Sequence, residues 1–159
     1  MSQLNDYRHK VQYYETDQMG IVHHSNYIRW FEEARTDYME QMGLGYDVME
    51  DQGILSPVLA VDATYLRMIY YGDTAIIRTY IKKYNGIKLT VGYEVFSEKT
   101  GKKHCSGQSK HCFLSKKGNP LSLKQTSPAF HEMFLEGLRE YEEYKEQEEK
   151  EKKEKKERK

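Results

Sequence analysis

Apolar positions along the chain change their period several times, and each change marks an element. From Asp6 to Tyr14 the residues alternate weakly, with Tyr7, His9, Val11 and Tyr13 on one side, which predicts a short strand. From Asn26 to Met42 the spacing lengthens to three and four, and Tyr27, Trp30, Phe31, Ala34, Tyr38 and Met42 form one wide apolar stripe. That period predicts a helix burying one face, with Ser25 or Asn26 to cap its start and Gly43 to end it. "GLGYDVMEDQG" reads as a turn, a short helix and a second turn. Four further strands are expected at Leu59 to Leu66, Thr74 to Tyr84, Lys88 to Ser97 and Lys103 to Ser115. The turn-forming stretches "YYGD", "YNG" and "EKTG" separate them. Helical spacing returns from Ser127 to Arg139 through Phe130, Phe134 and Leu138.

The order βαββββ with one strongly apolar helix predicts an α+β fold, an antiparallel sheet packed on that helix. A stripe holding both Trp30 and Phe31 needs a sheet to cover it. Beyond about Tyr141 the pattern stops. "YEEYKEQEEKEKKEKKERK" has almost no apolar residue and holds eight acidic and eight basic side chains. Several Glu residues stand four before a base, Glu148 and Lys152 or Glu151 and Lys155 for example. That order supports a solvated helix by roughly 0.2–0.5 kcal/mol per pair. With no stripe to bury, residues 141–159 are expected to be a charged helical or disordered tail on a domain of residues 1–140.

Composition narrows the functional classes. The chain has 159 residues, enough for one domain, and its 25 basic and 25 acidic residues leave no net field to attract nucleic acid or a membrane. The longest apolar runs are a few residues, which excludes a transmembrane helix. "MSQLNDYRHK" lacks the apolar segment of a signal peptide, so a cytoplasmic protein is expected. The two cysteines, Cys105 and Cys112, each follow a histidine but form no CxxC pair. In one regular strand the two dipeptides would stand roughly 23 Å apart at about 3.3 Å per residue. No single metal spans that distance, so reduced structural thiols and no metal site are expected.

One stretch carries candidate chemistry: "YYETDQMGIVHHSNYIRWFEEAR", with Asp17 shortly before the apolar helix. Read by itself, Asp17 is either a turn residue or a reactive acid. The pattern Asp17, Gly20, Ile21-Val22, His24 and Tyr27 resembles that of the hotdog-fold acyl-CoA thioesterases. The similarity is to the 4-hydroxybenzoyl-CoA thioesterase-like group, including the short-chain enzymes associated with the Tol-Pal cluster. It continues through "GLGYDVMEDQGI" and "YYGDTAIIRTYIKKYNGIKLTVGYEV" and covers roughly residues 6 to 120. The resemblance implies a five-stranded antiparallel sheet wrapped around a central helix. It further implies an acyl-CoA substrate or an acyl carrier protein partner, and homodimers paired edge to edge or homotetramers. No cofactor is implied, coenzyme A being part of the substrate.

In that group the matching aspartate is nucleophile or general base. A thioester carbonyl needs such a group, together with donors for the developing oxyanion. A helix N-terminus offers unpaired N–H groups and roughly half a positive charge. Asp17 and His24 are therefore the candidate catalytic residues, with His24 acting through its backbone N–H and a role for its imidazole left open, and Gly20, Val22 and Tyr27 are the candidate substrate-binding residues. Arg67, Arg78, Lys82, Lys83 and Lys88 are the cations available for the CoA phosphates, with none singled out. No GxSxG occurs, which argues against a serine hydrolase. Two other classes stay open: a hotdog module that binds acyl thioesters without hydrolysing them, and a hotdog hydratase or dehydratase.

Overall fold

In the computed structural model, which describes residues 4–158, the weakly alternating segment forms β1, Tyr7–Lys10. It ends sooner than expected because Tyr13–Glu15 winds into one 3-10 turn. The cause is Glu15, whose carboxylate reaches back to accept the Gln12 N–H at 2.7 Å. Tyr13 is consequently 77% exposed instead of sharing the inward face of Val11.

The apolar stripe becomes α1, Ser25–Gln41. Its cap is His24, not Ser25 or Asn26, both of which lie in the first helical turn. Asn26 is committed elsewhere, its Nδ2 donating to the Glu15 carbonyl at 2.9 Å. Gly43, at φ +80°, follows the helix end as expected. Tyr27, Trp30, Phe31, Ala34 and Tyr38 are buried; Met39 joins them, while Met42 is only half-buried at the helix end.

The chain continues through α2, Tyr46–Asp51, and β2, Ile54–Leu55, to β3, Val58–Tyr65. Then come β4, Thr74–Tyr84, β5, Lys88–Ser97, and β6, Lys103–Cys112. The single strand expected to reach Ser115 breaks at the fully buried Phe113. Past it β7, Leu114–Ser115, changes partner and pairs with β2. The last elements are α3, Leu123–Thr126, and α4, Pro128–Glu157.

The main sheet is antiparallel, in the order β1-β4-β5-β6-β3. β5, its middle strand, is buried almost throughout, and α1 packs across it. The Phe31 ring stacks on Tyr93 of β5 at 4.5 Å and 4°. A Cβ at Gly107 in β6 would stand 2.6 Å from that ring, so only glycine lets the helix come this close. A five-stranded antiparallel sheet around a central helix is the hotdog fold.

β1 covers the edge of β4 only as far as Ile77, and α4 packs along β4 as well. At Gly137 it comes so near that an added Cβ would lie 2.6 Å from both Ile81 Cγ1 and Tyr38 Oη. Further on, Tyr141 and Tyr144 pack against Tyr80, each at 5.3 Å between ring centroids. From Glu146 the helix runs on exposed to Glu157, so the charged tail continues α4 without a break at residue 140.

Candidate active site

The loop between the 3-10 turn and α1 is tightly sewn. Thr16 and Val22 form an antiparallel bridge, the Asp17 N–H donates to the Ile21 carbonyl at 2.9 Å, and the Gly20 N–H to the Asp17 carbonyl at 3.0 Å. Gly20 holds φ +75° with nothing within 4 Å of a would-be Cβ. Backbone conformation, not crowding, therefore demands glycine here. The loop is also tied to the β3–β4 connection: the Val22 N–H donates to Ile69 and the Tyr71 N–H to Gly20, at 2.9 and 3.0 Å.

Within this turn the two oxygens of Asp17 differ. Oδ1 accepts the N–H groups of Met19 at 2.8 Å and Ile21 at 3.2 Å. Oδ2 accepts no hydrogen bond among the described residues, and the side chain is exposed. One carboxylate can thus organise the turn and keep an oxygen for chemistry, so the two readings of Asp17 are compatible.

At the start of α1 the Ser25 N–H goes to His23 Nδ1 at 3.2 Å and the Asn26 N–H to the His23 carbonyl at 3.0 Å. The His24 N–H finds no acceptor among the described residues. Its imidazole is exposed and forms no hydrogen bond with Asp17; it lies against His23, with centroids 4.2 Å apart. The His24 carbonyl accepts the Tyr65 hydroxyl at 3.1 Å.

Asp17, Val22, His24 and Tyr27 line one cavity of about 530 Å³. Tyr65, Leu66, Arg67 and Met68 close its other side. Gly20 does not line it and acts on the turn instead. Tyr27 is 3% exposed, its ring edge-on to Tyr65 at 5.1 Å, and burial pushes its phenol pKa up, so it stays neutral. Of the five candidate cations only Arg67 borders the cavity. Arg78 pairs with Asp6 at 3.2 Å, and Lys82 donates to Gln108 at 3.2 Å. A second cavity, about 590 Å³, lies between β1, α1, β4 and α4 and contains none of the motif residues.

Sequence reasoning missed Tyr65 and Met68, which lie far from the motif in the chain and meet it only through sheet topology. It also missed Glu15, 4% exposed, whose carboxylate accepts Trp30 Nε1–H at 2.7 Å and contacts His9 Nε2 at 2.8 Å. Burial opposes the charge on Glu15, but hydrogen bonds from Gln12, His9 and Trp30 outweigh it and lower the pKa. The His-Cys dipeptides serve packing: His104 bridges Thr100 and the Met68 carbonyl at 2.8 and 2.9 Å, and His111 meets Ser109 at 2.7 Å. Burial pushes the Cys105 thiol up to about 12. Among the described residues no helix is long and apolar enough to cross a membrane.

Fold and site together define a hotdog domain with an acid-bearing turn at the start of its central helix. Residues 11–138 match the Thioesterase-like superfamily, and the chain belongs to that family. YneP of Bacillus subtilis (strain 168), which carries the provisional name acyl-CoA thioesterase, is 36% identical over 126 residues, covering 79% of this chain and 91% of YneP. The crystal structure of a DHNA-CoA thioesterase from Staphylococcus aureus is similar at a TM-score of 0.78 and 33% identity, over 83% of this chain and 89% of that one. A crystal structure from Aquifex aeolicus follows at 0.71 and 34%, over 78% and 97%. None of these three carries the 4-hydroxybenzoyl-CoA or Tol-Pal name that the motif resembles.

Proposed function

We propose that the protein hydrolyses an acyl-CoA thioester to a carboxylic acid and free coenzyme A. The observation that carries this reading is the pairing, around one cavity, of a carboxylate oxygen and a helix-start N–H that have no hydrogen-bond partner among the described residues. Asp17 acts as nucleophile or general base, and the His24 N–H with the α1 N-terminus receives the oxyanion. As general base, Asp17 takes a proton from water while the oxygen bonds to the thioester carbon. The tetrahedral intermediate then collapses, the C–S bond breaks, and the thiolate leaves with the proton. As nucleophile, Asp17 forms an acyl anhydride, releases the thiolate, and is freed by water. A single turnover in 18O-labelled water reports on the routes: label found in Asp17 shows that water opened the anhydride at the aspartyl carbon, since the general-base route puts label only in the product acid.

Val22 and Tyr27 give the acyl group an apolar wall, Gly20 shapes the turn beneath it, and Arg67 is placed for a CoA phosphate. The names of YneP and of the Staphylococcus aureus enzyme favour a CoA thioester as substrate over an acyl carrier protein, and a cytoplasmic location is part of the proposal. No metal or redox cofactor enters either route. A homodimer formed along β3, or a tetramer of such dimers, is part of the proposal. β3 is an edge strand, and Leu59, Val61 and Tyr65 on it are 54, 39 and 46% exposed, apolar surface that a second copy would cover. The test is thiol release from a panel of acyl-CoA esters by the wild type and by Asp17→Asn. A wild type that binds acyl-CoA without turnover favours the binding module instead.

A further inference from the structure

Glu15 is a carboxylate in the core, two residues before Asp17, and both ends of it are engaged with α1 or its approach. Its backbone carbonyl accepts the His23 N–H at 2.8 Å and Asn26 Nδ2 at 2.9 Å. Its carboxylate accepts the Gln12 N–H and Trp30 Nε1–H, each at 2.7 Å, and contacts His9 Nε2 at 2.8 Å. The other ring nitrogen of His9 faces Glu33 of α1 at 3.1 Å. One residue therefore grips the residue before the helix cap, the first helical turn and the second, and also the strand that leads into the loop. Burying a carboxylate is costly unless such donors satisfy it, so the site is unforgiving of a substitute.

We infer that Glu15 is the positioning residue of the site, fixing the Asp17 turn against the N-terminus of α1. The inference rests on the hydrolase reading for its catalytic consequence. The chain has only Thr16 between Glu15 and Asp17, and the Thr16–Val22 bridge passes any shift of Glu15 directly to the turn. Glutamine at this position would be nearly isosteric yet would bring two N–H donors among donors already there. The strand-to-helix spacing would relax, and with it the alignment of carboxylate and oxyanion donor. Misplacement of about 1 Å is enough for a loss near 100-fold.

The test compares wild type, Glu15→Gln and Trp30→Phe in acyl-CoA turnover, with amide hydrogen exchange followed at Asp17 and His23. Trp30→Phe removes the donor to Glu15 together with one ring of the buried indole and leaves the Glu15 carboxylate in place, so it stands in if Glu15→Gln does not fold. The expected result is a kcat lowered about 10- to 100-fold with KM changed less than about 3-fold, and faster exchange at both amides. A merely structural role would lower the melting temperature and leave kcat in the folded enzyme unchanged; that result overturns the inference. If the wild type turns over no acyl-CoA, the hydrolase reading falls, and the exchange data still decide: acceleration at Asp17 and His23 sustains the positioning role, and unchanged rates overturn it.

Discussion

His111 is 1% exposed, its Nε2 is paired with Ser109, and its Nδ1 has no partner among the described residues. Burial, and then the neighbouring Arg35 guanidinium, lower its pKa from 6.5 to about 4. In the unfolded chain the imidazole takes up a proton below pH 6.5, whereas in the folded protein it waits until about pH 4. Between those values the unfolded state binds more protons, so folding stability falls as the pH drops through the window and is fully present above it. The drop from 6.5 to about 4 corresponds to about 3 kcal/mol at roughly 1.4 kcal/mol per unit. His111→Gln removes the titrating group and keeps an acceptor for Ser109. The assay is urea unfolding of both proteins at one fixed protein concentration, in steps from neutral pH to about pH 4. Every other carboxylate and histidine titrates in both proteins and cancels in the difference. The stability of the wild type relative to the variant should fall by about 3 kcal/mol across the window. A difference that stays constant with pH would mean that the buried imidazole protonates freely, and would refute the reasoning.

Two further perturbations probe the packing of α4. Gly137→Ala places a methyl group against Ile81 and Tyr38, lifting the helix from the sheet; thermal or urea unfolding should show a loss of about 1–3 kcal/mol. Deleting residues 149–159, which lie beyond the Tyr80–Tyr141–Tyr144 contacts, should leave turnover unchanged and stability within about 0.5 kcal/mol. Loss of either on that deletion would mean that the charged segment touches the folded domain.

The apolar stripe of α1 and the long central strands were legible because burial writes a period into them. Trp30 and Phe31 could face only a sheet, and β4 and β5 begin and end where their turns do. The ends of elements were less legible, because side chains rather than periods decide them. Asn26 looks like a cap in sequence but spends its amide on Glu15. Phe113 continues the alternation of β6, yet its burial marks the point where the chain leaves the main sheet. In the site, Asp17 and His24 stand out through their local motif, and both do line one cavity. Tyr65 does not stand out, since it reaches His24 across 41 residues of sequence. Glu15 hides for a different reason: an acid between polar neighbours reads as surface, and only the fold brings Trp30 and His9 to it.

The central claim is that Asp17 and the start of α1 form a thioester-cleaving site. It is tested most directly by thiol release from acyl-CoA esters of short, long and aromatic chains, measured for the wild type and for Asp17→Asn. Asparagine keeps an oxygen for the Met19 and Ile21 N–H groups, so the turn and the fold should persist. The account predicts turnover of at least one ester by the wild type and a fall of about 100-fold or more in the variant, the scale of losing a general base. A folded Asp17→Asn protein that hydrolyses the same ester at the wild-type rate would contradict it.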